Sequence, residues 1–261
     1  MRTEGARPLR PLSLTLCLTA IFFAVPVFVN AQVMSCKAVS PAQTQALVEV
    51  FTSEGCSSCP PADRWLSALV QVPNQKLLAV GLSLHVDYWD YIGWKDSFAK
   101  AAYTQRQYAY ARQRGVSGVY TPQIVLAGRD FRNWDSSNAF LQAVKQINDK
   151  PSRAHIEIDA KAGKLDSDVH VFFNANSDQS AQLHVVLFEN ALKTKVNAGE
   201  NRGELLGHDR VAREFLKLES RTGQTKVTLA KGQRIELSGL AAFMQTSSGE
   251  VLQAVACEFK P

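Results

Sequence analysis

Leu47-Val48-Glu49-Val50-Phe51-Thr52-Ser53-Glu54-Gly55-Cys56-Ser57-Ser58-Cys59-Pro60-Pro61-Ala62-Asp63 is the stretch whose reading decides the fold. Residues 47–51 are a short apolar run of strand composition. Pro60 and Pro61 then open a helical run, Ala62 to Val70, with Trp65, Leu66 and Leu69 on one face. Cys56 and Cys59 therefore fall between a strand and a helix. At a helix N-terminus the unpaired N–H groups and the dipole stabilise a thiolate, and two intervening residues let the second thiol reach the first. The sequence has no second CxxC and no downstream His pair, which argues against a structural zinc knuckle.

Outward from this motif, strand and helix alternate as far as residue 150. Leu77 to Val86 reads as a second strand, apolar at nearly every position, as suits a sheet covered on both faces. Ser97 to Arg114, closed by Gly115, reads as a helix, and Ile124 to Ala127 as a third strand turning at Gly128. Ser136 or Ser137 caps a last helix carrying Phe140, Leu141, Val144 and Ile147 and stopped by Pro151. This order predicts an α/β layer with a largely parallel sheet over 32–151. Beyond Pro151 the period becomes two, in 155–159, 169–173, 183–188, 226–229 and 251–258, and turn-rich segments separate the runs. A small all-β, sandwich-like domain over 152–261 follows.

The chain of 261 residues is 46% hydrophobic and 20% charged, a globular balance that excludes wholesale disorder. Residues 1–31 read as a secretory signal peptide: Arg2, Arg7 and Arg10, an apolar run from Leu12 to Val29, and Val29-Asn30-Ala31 before the cut. The expected location is periplasmic or secreted, with no membrane span left after cleavage. Val33-Met34-Ser35-Cys36 loosely matches a lipoprotein box, which would instead anchor Cys36 to lipid. Cleavage removes three basic residues and one acidic residue, taking the net charge from +5 to +3. With no basic block, a nucleic-acid partner is not indicated. Cys36, Cys56, Cys59 and Cys257 remain, an even number that fits two disulfides in an oxidising compartment. Cys56 and Cys59 are close enough to pair, which leaves Cys36 with Cys257.

Tyr120-Thr121-Pro122 precedes the third strand. A proline there either opens an edge strand with an ordinary trans bond or, as a cis Thr121–Pro122 bond, makes a sharp turn. In redox proteins of this layout such a loop packs on the disulfide and lends its backbone to an extended substrate. Residues 51–63, the block His85-Val86-Asp87-Tyr88-Trp89-Asp90-Tyr91-Ile92-Gly93-Trp94-Lys95-Asp96, and Gln105-Arg106 through Tyr120-Thr121-Pro122-Gln123 together resemble a bacterial family of secreted thioredoxin-like proteins of unknown function. A weaker match runs from Gly199-Glu200-Asn201 to Arg213. The resemblance implies a thioredoxin-like fold with a β appendage and no established activity. No Trp precedes Cys56, and 62 residues separate Cys59 from Pro122. Both departures from ordinary thioredoxins point to a narrower substrate.

The aromatic block follows a strand expected to run beside the Cys56 strand, so it should border the disulfide. His85 is the candidate proton shuttle and Asp87 its orienting partner. Tyr88, Trp89, Tyr91 and Trp94 are candidate walls of a groove for an extended ligand, with Thr121 opposite. The helix with Tyr103, Arg106, Gln107, Tyr110, Arg112 and Arg114 reads as a solvated amphipathic helix or, alternatively, as a basic-aromatic surface for an anionic partner. The stretch holding Glu200, Arg202, Glu204, His208, Asp209 and Arg210 reads as solvated turn and hairpin. His155, His170 and His184 lie in strands of the β half, where they could meet around a metal or simply face solvent.

The leading expectation is a thiol–disulfide oxidoreductase. Cys56 attacks, Cys59 resolves, Pro122 shapes the loop, the partner is an unidentified protein thiol or disulfide, and no cofactor or metal is required. A Cu(I)-binding module using the same thiols is one alternative. A non-enzymatic binding protein with a structural CxxC is the other.

Overall fold

The computed structural model describes residues 33–71, 79–115, 117–163 and 167–261. The expected signal peptide lies outside them. Among the described residues no helix is long and apolar enough to cross a membrane. The elements in chain order are β1 (Val33–Val39), β2 (Ala46–Thr52), α1 (Pro60–Gln71), β3 (Ala79–His85), α2 (Ala101–Gln113), β4 (Gln123–Leu126), β5 (Arg129–Asp130) and α3 (Ser137–Asn148). They continue with β6 (Ala154–Gly163), β7 (Asp168–Ser177), β8 (Gln182–Glu189), β9 (Leu192–Lys195), β10 (Leu205–His208), β11 (Val211–Leu218), β12 (Thr222–Thr228), β13 (Ser238–Gln245) and β14 (Val251–Glu258). A short 3-10 turn covers Asp90–Ile92.

Eight strands form one sheet in the order β14-β13-β8-β11-β3-β2-β4-β5. Every residue of β2, β3 and β13 is buried, because both faces of this sheet are covered. In β2, Leu47 and Phe51 face Tyr103 and Tyr110 of α2, while Ala46, Val48 and Val50 face Leu66 of α1 and Phe140 and Val144 of α3. In β8 the same division continues. Val186 and Phe188 share the α2 side, and Leu183, Val185 and Leu187 face a second sheet, β1-β6-β7-β12, across Ile156, Ile158, Val169 and Val171. β13, buried at every position, therefore shows no period-two alternation, and in β11 a register shift between Ala212 and Glu214 breaks the period.

Close packing depends on a small residue at one point: a Cβ on Gly81 would sit 2.7 Å from Leu66 Cδ1, so α1 lies directly on β3. The end of the chain is tied to its beginning by Cys36–Cys257, whose Cα atoms are 5.5 Å apart across 221 residues. Closing so long a loop stabilises by about 5 kcal/mol in the chain-entropy model.

Two expectations need correction. The sheet is mixed rather than largely parallel: β2 pairs parallel with β3, but β4 pairs antiparallel with β2, and β11 touches β3 in parallel at Val211 and Ser83 alone. The Tyr103–Gln107–Tyr110 face of α2 is buried against the large sheet, not solvated. The position 151 expected as a boundary falls between α3 and β6, and the large sheet draws strands from both sides of it.

Candidate functional site

The turn from β2 into α1 is closed by the backbone itself. Cys56 N–H donates to Ser53 O, Cys59 N–H to Cys56 O, and the N–H groups of Ala62 and Asp63 to Cys59 O. Cys56 and Cys59 are disulfide-bonded with Cα atoms 5.4 Å apart. Both are 0% exposed.

Three segments cover them. The Thr121–Pro122 bond is cis, and Ser58 Oγ donates to Thr121 O at 3.4 Å. The aromatic block closes a second side: Trp89 Nε1 donates to Thr121 Oγ1 at 2.7 Å and Trp94 Nε1 to Glu54 Oε2 at 2.9 Å. A Cβ on Gly55 would stand 3.1 Å from Trp89 Cβ, so that glycine permits the approach. The third cover is the loop between β9 and β10, which the sequence presented as a solvated turn. Asn201 is buried, and its Nδ2 donates to Glu54 O at 2.8 Å and Cys56 O at 3.0 Å. Glu200 Oε2 accepts from Ser57 N–H at 3.0 Å, and hydrogen bonding to Ser57 holds the Glu200 carboxyl below its ordinary range.

Around the motif lies a buried set of ionisable groups: Glu54, Asp63, His85, Asp96 and His208. His85 Nδ1 donates to Asp96 Oδ2 at 2.7 Å, and the same oxygen accepts from Glu54 N–H at 2.9 Å. His208 Nε2 is 3.3 Å from Glu54 Oε1, and its Nδ1 is 3.7 Å from Asp63 Oδ2. The His85 and His208 rings meet edge to face with centroids 4.9 Å apart. Glu54 Oε1, Asp63 Oδ1, His85 Nε2 and both ring nitrogens of His208 have no hydrogen-bond partner among the described residues.

Burial raises the Asp63 carboxyl above its ordinary value, and the nearby imidazoles of His208 and His85 only partly offset it. For His85, burial pulls the imidazole down, but the charge and hydrogen bond of Asp96, helped by Asp63 and Glu54, leave it raised. Asp96 is lowered: His85 and two backbone N–H groups outweigh its burial. Burial pushes the Tyr88 hydroxyl up to about 12. Beside the motif a cleft of about 710 Å³ opens between α1 and the β9–β10 hairpin, with Asp63, Arg64, Glu200, Arg202 and His208 in its wall.

Cys56, Cys59, His85, Trp89, Trp94, Thr121 and Pro122 thus share one neighbourhood. Asp87 does not orient His85: its Oδ1 accepts from Thr104 Oγ1 at 2.6 Å, and Asp96 takes the orienting place. Tyr91 is 82% exposed and walls nothing. The β-half histidines do not converge. His155 sits beside Glu157, His170 is exposed on β7, and His184 is stacked on Phe243 in another sheet, where burial pushes it down to about 3. Glu54, Asp63, Asp96, Glu200, Asn201 and His208 were missed as site residues. The one signal for the last three was the weaker block beginning at Gly199.

The profile of a family described as a protein of unknown function (DUF1223) matches residues 47–245. No curated protein matches the chain. Among solved structures, the crystal structure of an Agrobacterium tumefaciens protein is similar at 27% identity and a TM-score of 0.62, covering 84% of this chain and 96% of that one. HBP35 of Porphyromonas gingivalis is similar in fold at 14% identity and a TM-score of 0.60, covering 83% of this chain and 76% of that one.

Proposed function

The chain belongs to the DUF1223 family, whose function is unknown, and we propose from the site itself that it is an exported thiol–disulfide exchange protein with a thioredoxin-like redox half. The carrying observation is the placement of the Cys56–Cys59 disulfide. It lies at the start of α1, against the cis-Pro122 turn and beside incompletely partnered buried ionisable groups. Burying such groups costs several kcal/mol each unless they are paired, and buried, perturbed ionisable groups of this kind cluster at functional sites. Export is supported by the character of residues 1–31 and by two disulfides, which persist in oxidising compartments.

In the direction that oxidises a substrate dithiol, a substrate thiolate attacks Cys56 Sγ. The Cys56–Cys59 bond breaks and its electron pair goes to Cys59. The second substrate thiolate then attacks the substrate sulfur of the mixed disulfide, releasing Cys56 as thiolate. Two electrons pass to the cysteine pair, and a substrate disulfide leaves. The reverse sequence reduces a substrate disulfide at the expense of the two thiols.

With both sulfurs covered, attack requires the Glu200–Asn201 segment to move off the motif. That requirement narrows the substrate range, as the missing Trp before Cys56 also does. The Cys59→Ser variant tests the reading, since it cannot resolve a mixed disulfide. Incubated with oxidised glutathione, it should accumulate a glutathione adduct on Cys56, seen by peptide mass spectrometry, while remaining folded. A folded variant that forms no adduct means that the pair is a staple and the chain a binding protein.

A further inference from the structure

We infer that Asp63 and His208, drawn from the two halves of the chain, form the proton-handling pair for Cys59, with Asp63 as the acid and base and His208 as its positioning residue. The inference rests on the exchange reading above and assigns roles to two groups that reading does not use.

Asp63 lies one helical turn after Cys59, and its N–H donates to Cys59 O. Side chains in the first turn of a helix lean toward its N-terminus, so the Asp63 carboxyl in α1 leans back toward the turn that holds Cys59. Both side chains are buried. A thiolate released from the disulfide in this site has little water to stabilise it, so a proton delivered as the S–S bond breaks lowers the barrier. Asp63 suits that task, because burial holds its carboxyl protonated to higher pH than a free aspartate.

The groups that act on Asp63 come from four further places: His208 on β10, His85 on β3, the Thr52 hydroxyl at the end of β2, and Asp96 in the segment before α2. His85 and Asp96 are committed to each other. His208 is not: both its nitrogens stand near carboxylates without a directed hydrogen bond. It therefore remains able to orient the Asp63 carboxyl and to stabilise its anion once the proton has left. Asp63 and His208 also reach the wall of the cleft, which gives the proton a route to solvent.

The balance is simple. When a substrate thiolate attacks Cys56, the S–S electron pair goes to Cys59 and the Asp63 proton follows it, leaving Cys59–SH and an Asp63 carboxylate. In the reverse step, the carboxylate takes the Cys59 proton and the thiolate attacks the Cys56 mixed disulfide, releasing the substrate thiolate.

The experiment compares rates of Cys56–Cys59 reduction by dithiothreitol in the full chain and in Asp63→Asn between pH 5 and 9. Taking the ratio of rates at each pH cancels the titration of the reagent. Wild type should be faster by about tenfold or more at the acid end, at the low edge of general-acid effects. The ratio should fall through one as pH rises, because the wild-type carboxylate then repels the departing thiolate. His208→Gln, which removes a nearby imidazole that lowers Asp63, should carry the acid-end rate to higher pH. A ratio that stays constant with pH in folded variants overturns the inference and leaves the exchange reading standing. A wild-type bond that resists reduction in the folded protein overturns both. Should Asp63→Asn not fold, redox-difference infrared spectroscopy of the wild type decides. A protonated carboxyl band lost on forming the Cys59 thiol supports the inference, and an unchanged carboxyl region overturns it.

Discussion

The two faces of the large sheet each bury charge, and they bury it differently. On the α2 side, Glu49 of β2 is fully enclosed, with Arg106 Nε donating to its Oε1 at 2.5 Å and the Tyr110 hydroxyl donating to Oε2. The Arg106 guanidinium also donates to Gln245 Oε1 at 3.2 Å and to Tyr110, and it lies within about 5 Å of the ring centres of Tyr110, Phe215 and Phe243. This cluster joins β2, α2 and β13 and uses its polar atoms fully. Near the disulfide, Glu54, Asp63, His85, Asp96 and His208 are equally buried, yet five of their polar atoms find no partner among the described residues: Glu54 Oε1, Asp63 Oδ1, His85 Nε2 and both His208 nitrogens. A satisfied network serves packing. The unsatisfied one, beside a disulfide, supports the exchange chemistry proposed above.

Breaking the satisfied side should have the largest effect. Arg106→Met leaves Glu49 buried without its cation and should cost about 3–5 kcal/mol in urea unfolding, as removal of one partner from a buried ion pair does. It should leave reduction of Cys56–Cys59 unchanged in the protein that remains folded. A loss below about 1 kcal/mol would mean that water already reaches this pair.

Asn201→Ala comes next. It leaves Glu54 O without its donor and Cys56 O with the Cys59 N–H alone, and should cost about 1–3 kcal/mol. It should also speed reduction of Cys56–Cys59, because the covering loop is held less firmly. Slower or unchanged reduction would show that this loop is not the cover that matters.

The smallest effect is a pH dependence of stability. The Asp63 carboxyl has a folded value raised above 3.8, so the folded chain holds this proton where the unfolded chain releases it. Its favourable contribution is complete below 3.8 and is lost as pH rises through the folded value. Asp63→Asn removes that loss. The stability difference, variant minus wild type, should therefore grow in the variant's favour as pH rises from about 4, then level off. A difference independent of pH in a denaturation series would contradict the raised carboxyl.

What the sequence disclosed was local. The strand, the CxxC and α1 are consecutive, and their periodicities read directly. The turn at Pro122 was marked by a proline placed before a strand, and the structure shows which isomer it takes. The pairing of Cys36 with Cys257 followed from the even number of cysteines left after the signal segment. What stayed hidden was assembled over distance. Asn201 and His208 come from more than 140 residues beyond the motif they serve, in a stretch of alternating charge that reads like any solvated hairpin. The same holds for Arg106: its partner Glu49 sits 57 residues away inside an apolar strand. Asp87 was chosen over Asp96 because it is nearer to His85 in sequence, and the turn at Asp90–Ile92 reverses that order in space.

The central claim is that the covered disulfide is a working redox pair and the other disulfide a staple. A redox titration of the mature chain in glutathione and dithiothreitol buffers, with thiols trapped by alkylation and located by peptide mass spectrometry, tests it most directly. The account predicts that Cys56–Cys59 titrates between about −120 and −270 mV, the range of known exchange proteins, while Cys36–Cys257 stays closed. A Cys56–Cys59 bond that opens only below about −300 mV, or only as the protein unfolds, would contradict it.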